Sequence, residues 1–199
     1  MMLQLDRVAF VGNSLTLHPP KTDIGWTGNW GMAASAMEKD YVHILMNRFL
    51  KENPNAEFMV KNVFVYEQKF WEGDLSIAEE LRAFRPTLIV LAIGDNVAQD
   101  EAKKHDFRKY YEMLIDYIDP EGQASVVCTS CFFPKPTVDR AIWETAKKRN
   151  LVFADFGSVS VDAKNKARGL FWHAGVAEHP SDQGMALMAA TILVALRLD

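Results

Sequence analysis

The stretch Val8-Ala9-Phe10-Val11-Gly12-Asn13-Ser14-Leu15-Thr16 decides how the rest of the chain is read. Its first half is a nearly continuous apolar run in which Val8, Phe10 and Val11 favour extended backbone, as expected for a parallel strand covered on both faces. The run stops abruptly at Gly12-Asn13-Ser14. Gly12 permits a turn that a side chain would obstruct, and the Asn13 amide suits a tight turn because it bonds local backbone. Ser14 then stands at the carboxyl end of the first strand, where open α/β sheets place ligands and chemistry. An ordinary Gly-Asn-Ser turn would look the same, so later segments carry the weight.

Working outward, Leu17 to Ser35 is rich in Gly, Pro and Trp (Pro19-Pro20, Gly25-Trp26, Gly28-Asn29-Trp30-Gly31). Pro and Gly exclude a regular element there, and the tryptophans argue for a folded loop beside Ser14 rather than disorder. Tyr41, Ile44, Leu45 and Phe49 recur at helical spacing and predict a helix over 34–52, stopped by Asn53-Pro54-Asn55. A second strand is predicted over 57–65 and a short helix over 76–84. Leu88-Ile89-Val90-Leu91-Ala92-Ile93, between Pro86 and Gly94, reads as a buried strand over 87–93. A helix over 103–118, a strand over 125–132, a helix over 137–149, a strand over 151–156 and a closing helix over 181–198 follow, with Ser181 as its N-cap. Strands alternating with helices imply right-handed crossovers and a mostly parallel sheet. Five strands with helices on both faces, an α/β three-layer sandwich, is the economical architecture. No repeat, linker or low-complexity stretch divides residues 1–199, so one domain is expected.

Composition narrows the function. The 199 residues are 49% hydrophobic and 24% charged, with a formal net charge of -4, the balance of an ordinary globular chain. No basic stripe points to nucleic acid, and no apolar run reaches the ~20 residues of a membrane helix. Met1-Met2-Leu3-Gln4-Leu5-Asp6-Arg7 has no signal-peptide pattern, so the expectation is a cytoplasmic chain without a membrane partner. Cys128 and Cys131 form C-x-x-C without a second pair. On a strand they point to opposite faces, which favours buried free thiols over a metal or redox site.

Two further segments carry chemistry. Gly94-Asp95-Asn96 ends the third strand, so Asn96 and Ser14 can be neighbours across one crevice, with the Asn96 amide as a donor to a developing oxyanion. His179, in Glu178-His179-Pro180-Ser181-Asp182-Gln183-Gly184, lies just before the final helix and suits a general base for a serine hydroxyl. His18 and His173 flank the crevice in sequence, whereas His43 and His105 read as helix-surface residues. Asp95 reads as solvated surface charge. Trp26, Trp30, Trp71 and Trp172 fall at loops or element ends, as sugar-stacking walls or as core under long loops.

Taken together, Gly12-Asn13-Ser14-Leu15, Gly94-Asp95-Asn96 and His179-Pro180-Ser181-Asp182 resemble, in order and spacing, the signature blocks of the SGNH/GDSL hydrolases, with Asn13 in place of the usual aspartate. The resemblance implies a flavodoxin-like sandwich and hydrolysis of an O-acyl ester, often an acetyl ester on a carbohydrate. It makes Ser14 the nucleophile and His179 the base, with the Ser14 N–H and Asn96 as oxyanion donors, and it implies no metal or cofactor. Two positions depart from the family. Val176 stands where an aspartate usually holds the histidine, which leaves a backbone carbonyl or another acid, with adjacent Glu178 considered, for that role. Glu67 stands where a glycine amide usually completes the oxyanion hole. Gly31 is then a substitute donor, and Asn13, Glu67, Glu178 and Trp30 are candidates for contacting substrate or orienting His179. These departures also motivate an alternative, a catalytically impaired carbohydrate-binding module on the same scaffold. Flavin or nucleotide binding is disfavoured, because a phosphate cradle wants a Gly-rich loop feeding a helix and Pro19-Pro20 follows Ser14 too closely.

Overall fold

The computed structural model describes residues 3–198, so Met1 and Met2, part of the N-terminal reading above, and Asp199 lie outside the described residues. The opening apolar run is strand β1 (Arg7–Gly12), buried over all but its first residue. It is followed by α1 (Tyr41–Glu52), β2 (Glu57–Asn62), α2 (Phe64–Gln68), α3 (Glu79–Phe84) and β3 (Leu88–Ala92). Then come α4 (Gln99–Lys104), α5 (Phe107–Ile118), β4 (Ser125–Thr129), α6 (Pro136–Arg149) and β5 (Val152–Ala154). The short helices α7 (Gly157–Ser160) and α8 (Ala174–Ala177) lead to the closing helix α9 (Asp182–Leu196).

The five strands form one sheet in the order β2-β1-β3-β4-β5, all parallel. This is the flavodoxin-like order, whose switch point lies between β1 and β3. Side chains alternate across the sheet. Val8, Phe10, Leu88 and Val90 pack with Tyr41, Leu45 and Phe49 of α1 and Met185, Met188 and Ile192 of α9. Ala9, Val11, Ile89 and Leu91 pack on the other face with α3, α5 and α6, through Leu81, Tyr111, Leu114 and Ile142. Three layers follow because both faces are apolar and each must be covered. Each large side chain so buried contributes about 1.5–3 kcal/mol.

Several boundaries differ from the sequence reading. The first helix begins at Tyr41, because Asp40 is fully buried and caps it by accepting from His43 N at 2.7 Å. The second strand stops at Asn62, and the residues after Val63 turn into α2, so Glu67 lies on a helix rather than at a strand end. The predicted 103–118 helix is two helices, broken where Asp106 takes a left-handed φ of 51°. The fourth strand ends at Thr129, before Cys131. Strand alternation therefore does not reach Cys131, and both free thiols are buried on the same side of the sheet. Ser181 does cap the last helix, accepting from Gly184 N at 3.3 Å.

Candidate active site

Ser14 leaves β1 through a turn with little freedom. A methyl group at Gly12 would collide with Thr16, and Asn13 O accepts from both Thr16 N and Leu17 N at 2.9 Å. The Gly/Trp-rich segment folds back over this turn. Met32 N donates to Ser14 O at 2.8 Å, and Gly31 N donates to the buried Asp40 carboxylate at 2.9 Å. A Cβ on Gly31 would lie 2.5 Å from Leu15 O. The glycine is there for close backbone approach, and its N–H, already given to Asp40, is not the substitute oxyanion donor that the sequence reading considered.

His179 arrives from the other end of the chain. Ser14 Oγ and His179 Nε2 are 2.8 Å apart, and Nδ1 lies 2.7 Å from Gly175 O. A carbonyl only accepts, so Nδ1 carries the proton and Nε2 is left to accept from the serine hydroxyl. The end of α8 explains why that carbonyl is available. The chain tightens there, with His179 N donating to Val176 O at 3.0 Å and Glu178 N to Ala174 O at 3.1 Å. Gly175 O is left for the ring, in the way that helix ends leave carbonyls open. The imidazole is thus held by a main-chain carbonyl, one of the two solutions left open by Val176. Val176 itself is buried with Trp26, Met32, Ala33 and Ala167. Glu178 does not face His179: it accepts from Lys166 Nζ at 2.9 Å and from Arg168, which hold its carboxyl down at about 2.

Desolvation of the half-buried imidazole, added to by the nearby His18 and opposed by the Gly175 carbonyl, lowers His179 to about 4. At neutral pH it is therefore an unprotonated acceptor beside a serine hydroxyl, the protonation state a general base requires.

Beneath Ser14 lies a buried polar cluster. Glu67 is completely enclosed. Its Oε1 accepts from Asn13 Nδ2 at 3.0 Å and Gly94 N at 2.5 Å, and its Oε2 accepts from Asn96 Nδ2 at 2.8 Å. Burial pushes the Glu67 carboxyl up while these donors hold it down. Its own N–H is taken by Val63 O at 3.1 Å, so position 67 supplies no main-chain donor to the site. Asp95 is not solvated surface charge either. It is partly enclosed and accepts from Phe133 N at 2.8 Å, and burial, with the Glu67 charge adding, pushes it up to about 7. Two candidate donors remain uncommitted: the Ser14 N–H and the Asn96 amide, which is joined to the serine turn through Glu67 and Asn13. Among the described residues the Ser14 N–H has no acceptor, and Asn96 Nδ2 has given one of its two hydrogens to Glu67.

Ser14 and His179 open onto a cleft of about 550 Å³. Pro19, Ile24, Met32, Phe64, Val65 and Val176 make its walls mainly apolar, and His18 and His173 add two imidazoles. The tryptophans do not line it. Trp26 is buried, Trp30 donates to Ala34 O at 2.9 Å, and Trp71 stacks on His105. Trp172 is exposed and packs edge-on to His173, against Gly25. Of the two readings of the tryptophans, stacking walls for a sugar ring find no place in the cleft lining, whereas Trp26 takes the core position. No metal-binding group of three or more His, Cys, Asp or Glu occurs among the described residues, and no described helix is long and apolar enough to cross a membrane. The apolar wall from α2 was missed in the sequence because Phe64 and Val65 read there as strand; their exposure follows from the helical turn.

No protein-family model matches the chain, and no curated protein does. Solved structures do. A GDSL-like lipase from Parabacteroides merdae superposes with a TM-score of 0.63 at 18% identity, over 100% of this chain and 99% of that one. An acetylxylan esterase from Geobacillus stearothermophilus gives 0.55 at 19% identity, over 96% and 94%. A two-domain esterase active on acetylated mannans gives 0.62 at 19% identity; 96% of this chain is matched, but it spans only 48% of that protein. The chain thus has the three-layer fold of the SGNH/GDSL hydrolases.

Proposed function

We propose that the chain is a serine hydrolase of O-acyl esters, with Ser14 as nucleophile and His179 as base. The observation that carries this is the Ser14 Oγ to His179 Nε2 contact of 2.8 Å, with the tautomer fixed by Gly175 O, at the floor of an open cleft. In the reaction, Ser14 Oγ attacks the acyl carbonyl carbon as its proton passes to His179 Nε2. The Ser14 N–H and the second hydrogen of Asn96 Nδ2 stabilise the tetrahedral oxyanion. Collapse breaks the ester C–O bond, and the departing alcohol oxygen takes the proton back from Nε2. Water then attacks the acyl-serine with His179 again as base, and the acid leaves as Ser14 regains its proton.

A carbonyl stabilises the transient imidazolium less than a carboxylate does, so catalysis leans more on the oxyanion donors and on substrate binding. Two of the related folds are an acetylxylan esterase and an esterase active on acetylated mannans, which supports a saccharide O-acetyl ester as the substrate to test first. The mainly apolar cleft adds support for small or apolar acyl groups. The binding-only alternative draws no support from the site, where Gly175 O fills the role left open by Val176. A single domain over residues 1–199 remains our reading of the chain's organisation.

The deciding measurement is labelling by a fluorophosphonate together with turnover of p-nitrophenyl acetate and an acetylated xylo-oligosaccharide. The parent is expected to label at Ser14 and to turn over; Ser14→Ala and His179→Ala lose both. Undiminished turnover in Ser14→Ala would overturn the assignment.

A further inference from the structure

The Glu67 carboxylate departs from the family pattern most sharply, because a negative charge beside an oxyanion site opposes the charge that develops there. Its hydrogen bonds give it a different task. An ionised carboxylate only accepts, whereas an asparagine amide can present either its NH2 or its carbonyl. Glu67 therefore dictates that Asn13 and Asn96 both turn their NH2 ends towards it, at 3.0 and 2.8 Å.

For Asn13, that choice sends Oδ1 the other way, where it accepts from Leu15 N at 3.1 Å. Ser14 is thus bracketed by two residues that share one hydrogen bond. For Asn96, it commits one amide hydrogen and fixes the plane in which the other lies. The Gly94 N–H bond of 2.5 Å anchors the start of the same loop. One buried side chain so ties the loop after β1, which carries the nucleophile, to the loop after β3, which carries the oxyanion donor.

We infer that Glu67 is a positioning residue: it sets the Asn96 amide and the Ser14 turn for oxyanion stabilisation, in a site that lacks the main-chain donor usual at its position. The inference deepens the esterase reading and rests on it. It also accounts for Asn13, because an aspartate there would set a second carboxylate about 3 Å from Glu67, a repulsion that strengthens with burial.

The test is a double-mutant cycle. Glu67→Gln keeps shape and volume but leaves one of the three donors facing an NH2. It should lower kcat about 10- to 100-fold, a fraction of what loss of an oxyanion donor costs, and leave KM within about threefold. Asn96→Ala should lower kcat at least as much. If Glu67 acts through Asn96, adding Glu67→Gln to Asn96→Ala costs less than about threefold more, because interacting sites are not additive. Full additivity would overturn the inference, as would a Glu67→Gln loss that appears mainly in KM.

Should Glu67→Gln fail to fold, Asn13→Asp perturbs the same clamp from the other side and is read in the same cycle. A readout independent of turnover keeps the two proposals apart. The side-chain NH2 resonances of Asn13 and Asn96 should exchange slowly with water in the parent and faster in Glu67→Gln. If the parent hydrolyses no ester, the functional proposal fails while these resonances still decide whether Glu67 holds the amides. Resonances unchanged by Glu67→Gln would reject the clamp.

Discussion

An acid-tolerant pH profile is the sharpest consequence of burying the His179 imidazole, whose desolvation outweighs the opposing Gly175 carbonyl. The perturbation is pH itself. His179 must be unprotonated to accept from Ser14, and it sits at about 4 where an ordinary histidine sits at 6.5. At pH 5 an imidazole with the lowered value is about nine-tenths neutral, whereas one at 6.5 is only about 3% neutral, a difference of ~30-fold in competent enzyme. The acid limb of kcat/KM, which reports the free enzyme, is therefore expected near pH 4, with almost full rate at pH 5. The same shift destabilises the fold in acid: the unfolded chain takes up this proton at about 6.5 and the folded chain only at about 4. Stability falls across that window by up to about 3 kcal/mol. Circular dichroism at each pH must accompany the kinetics so that unfolding is not read as titration. An acid limb at or above 6.5 in folded protein would refute the reasoning about His179. Asp95, at about 7, is a confounding group, and a limb near 7 that disappears in Asp95→Asn belongs to that carboxyl and not to the base.

Other substitutions test the site piece by piece. Val176→Asp installs an acid three positions before His179. It should raise the His179 limb by about 1–3 pH units and lower Tm, since the new carboxylate replaces a side chain buried with Trp26, Met32 and Ala33; an unchanged limb would mean that position 176 cannot reach the ring. Glu178→Gln removes a carboxylate engaged by Lys166 and Arg168. The expected stability loss is at most about 1 kcal/mol for such an exposed pair, with kcat and its pH dependence unchanged, and a large kcat loss would restore Glu178 as an orienting acid. Gly31→Ala forces a Cβ to within 2.5 Å of Leu15 O. The strain should destabilise by about 1–3 kcal/mol and reduce phosphonate labelling of Ser14; a silent substitution in thermal melts would show that this loop yields.

The sequence by itself determined the layered fold and the three blocks that meet in the site. Apolar runs and amphipathic periods are local signals, and parallel crossovers leave few ways to assemble them. Ser14, Asn96 and His179 could be named because strand ends and helix starts converge on one edge of such a sheet. Tertiary structure decided the partners. Only the tightened end of α8 frees Gly175 O for His179, a main-chain event with no residue-type signature. Only the folding of residues after Val63 into α2 swings Glu67 inward to meet Asn13, Gly94 and Asn96. Only Asp40, reaching back from the start of α1, takes the Gly31 N–H out of play. Residue type fixes which groups can donate, accept or titrate. Which of them face one another, and how far water is kept from them, depends on contacts between residues distant in the chain, such as the 54 positions that separate Asn13 from Glu67.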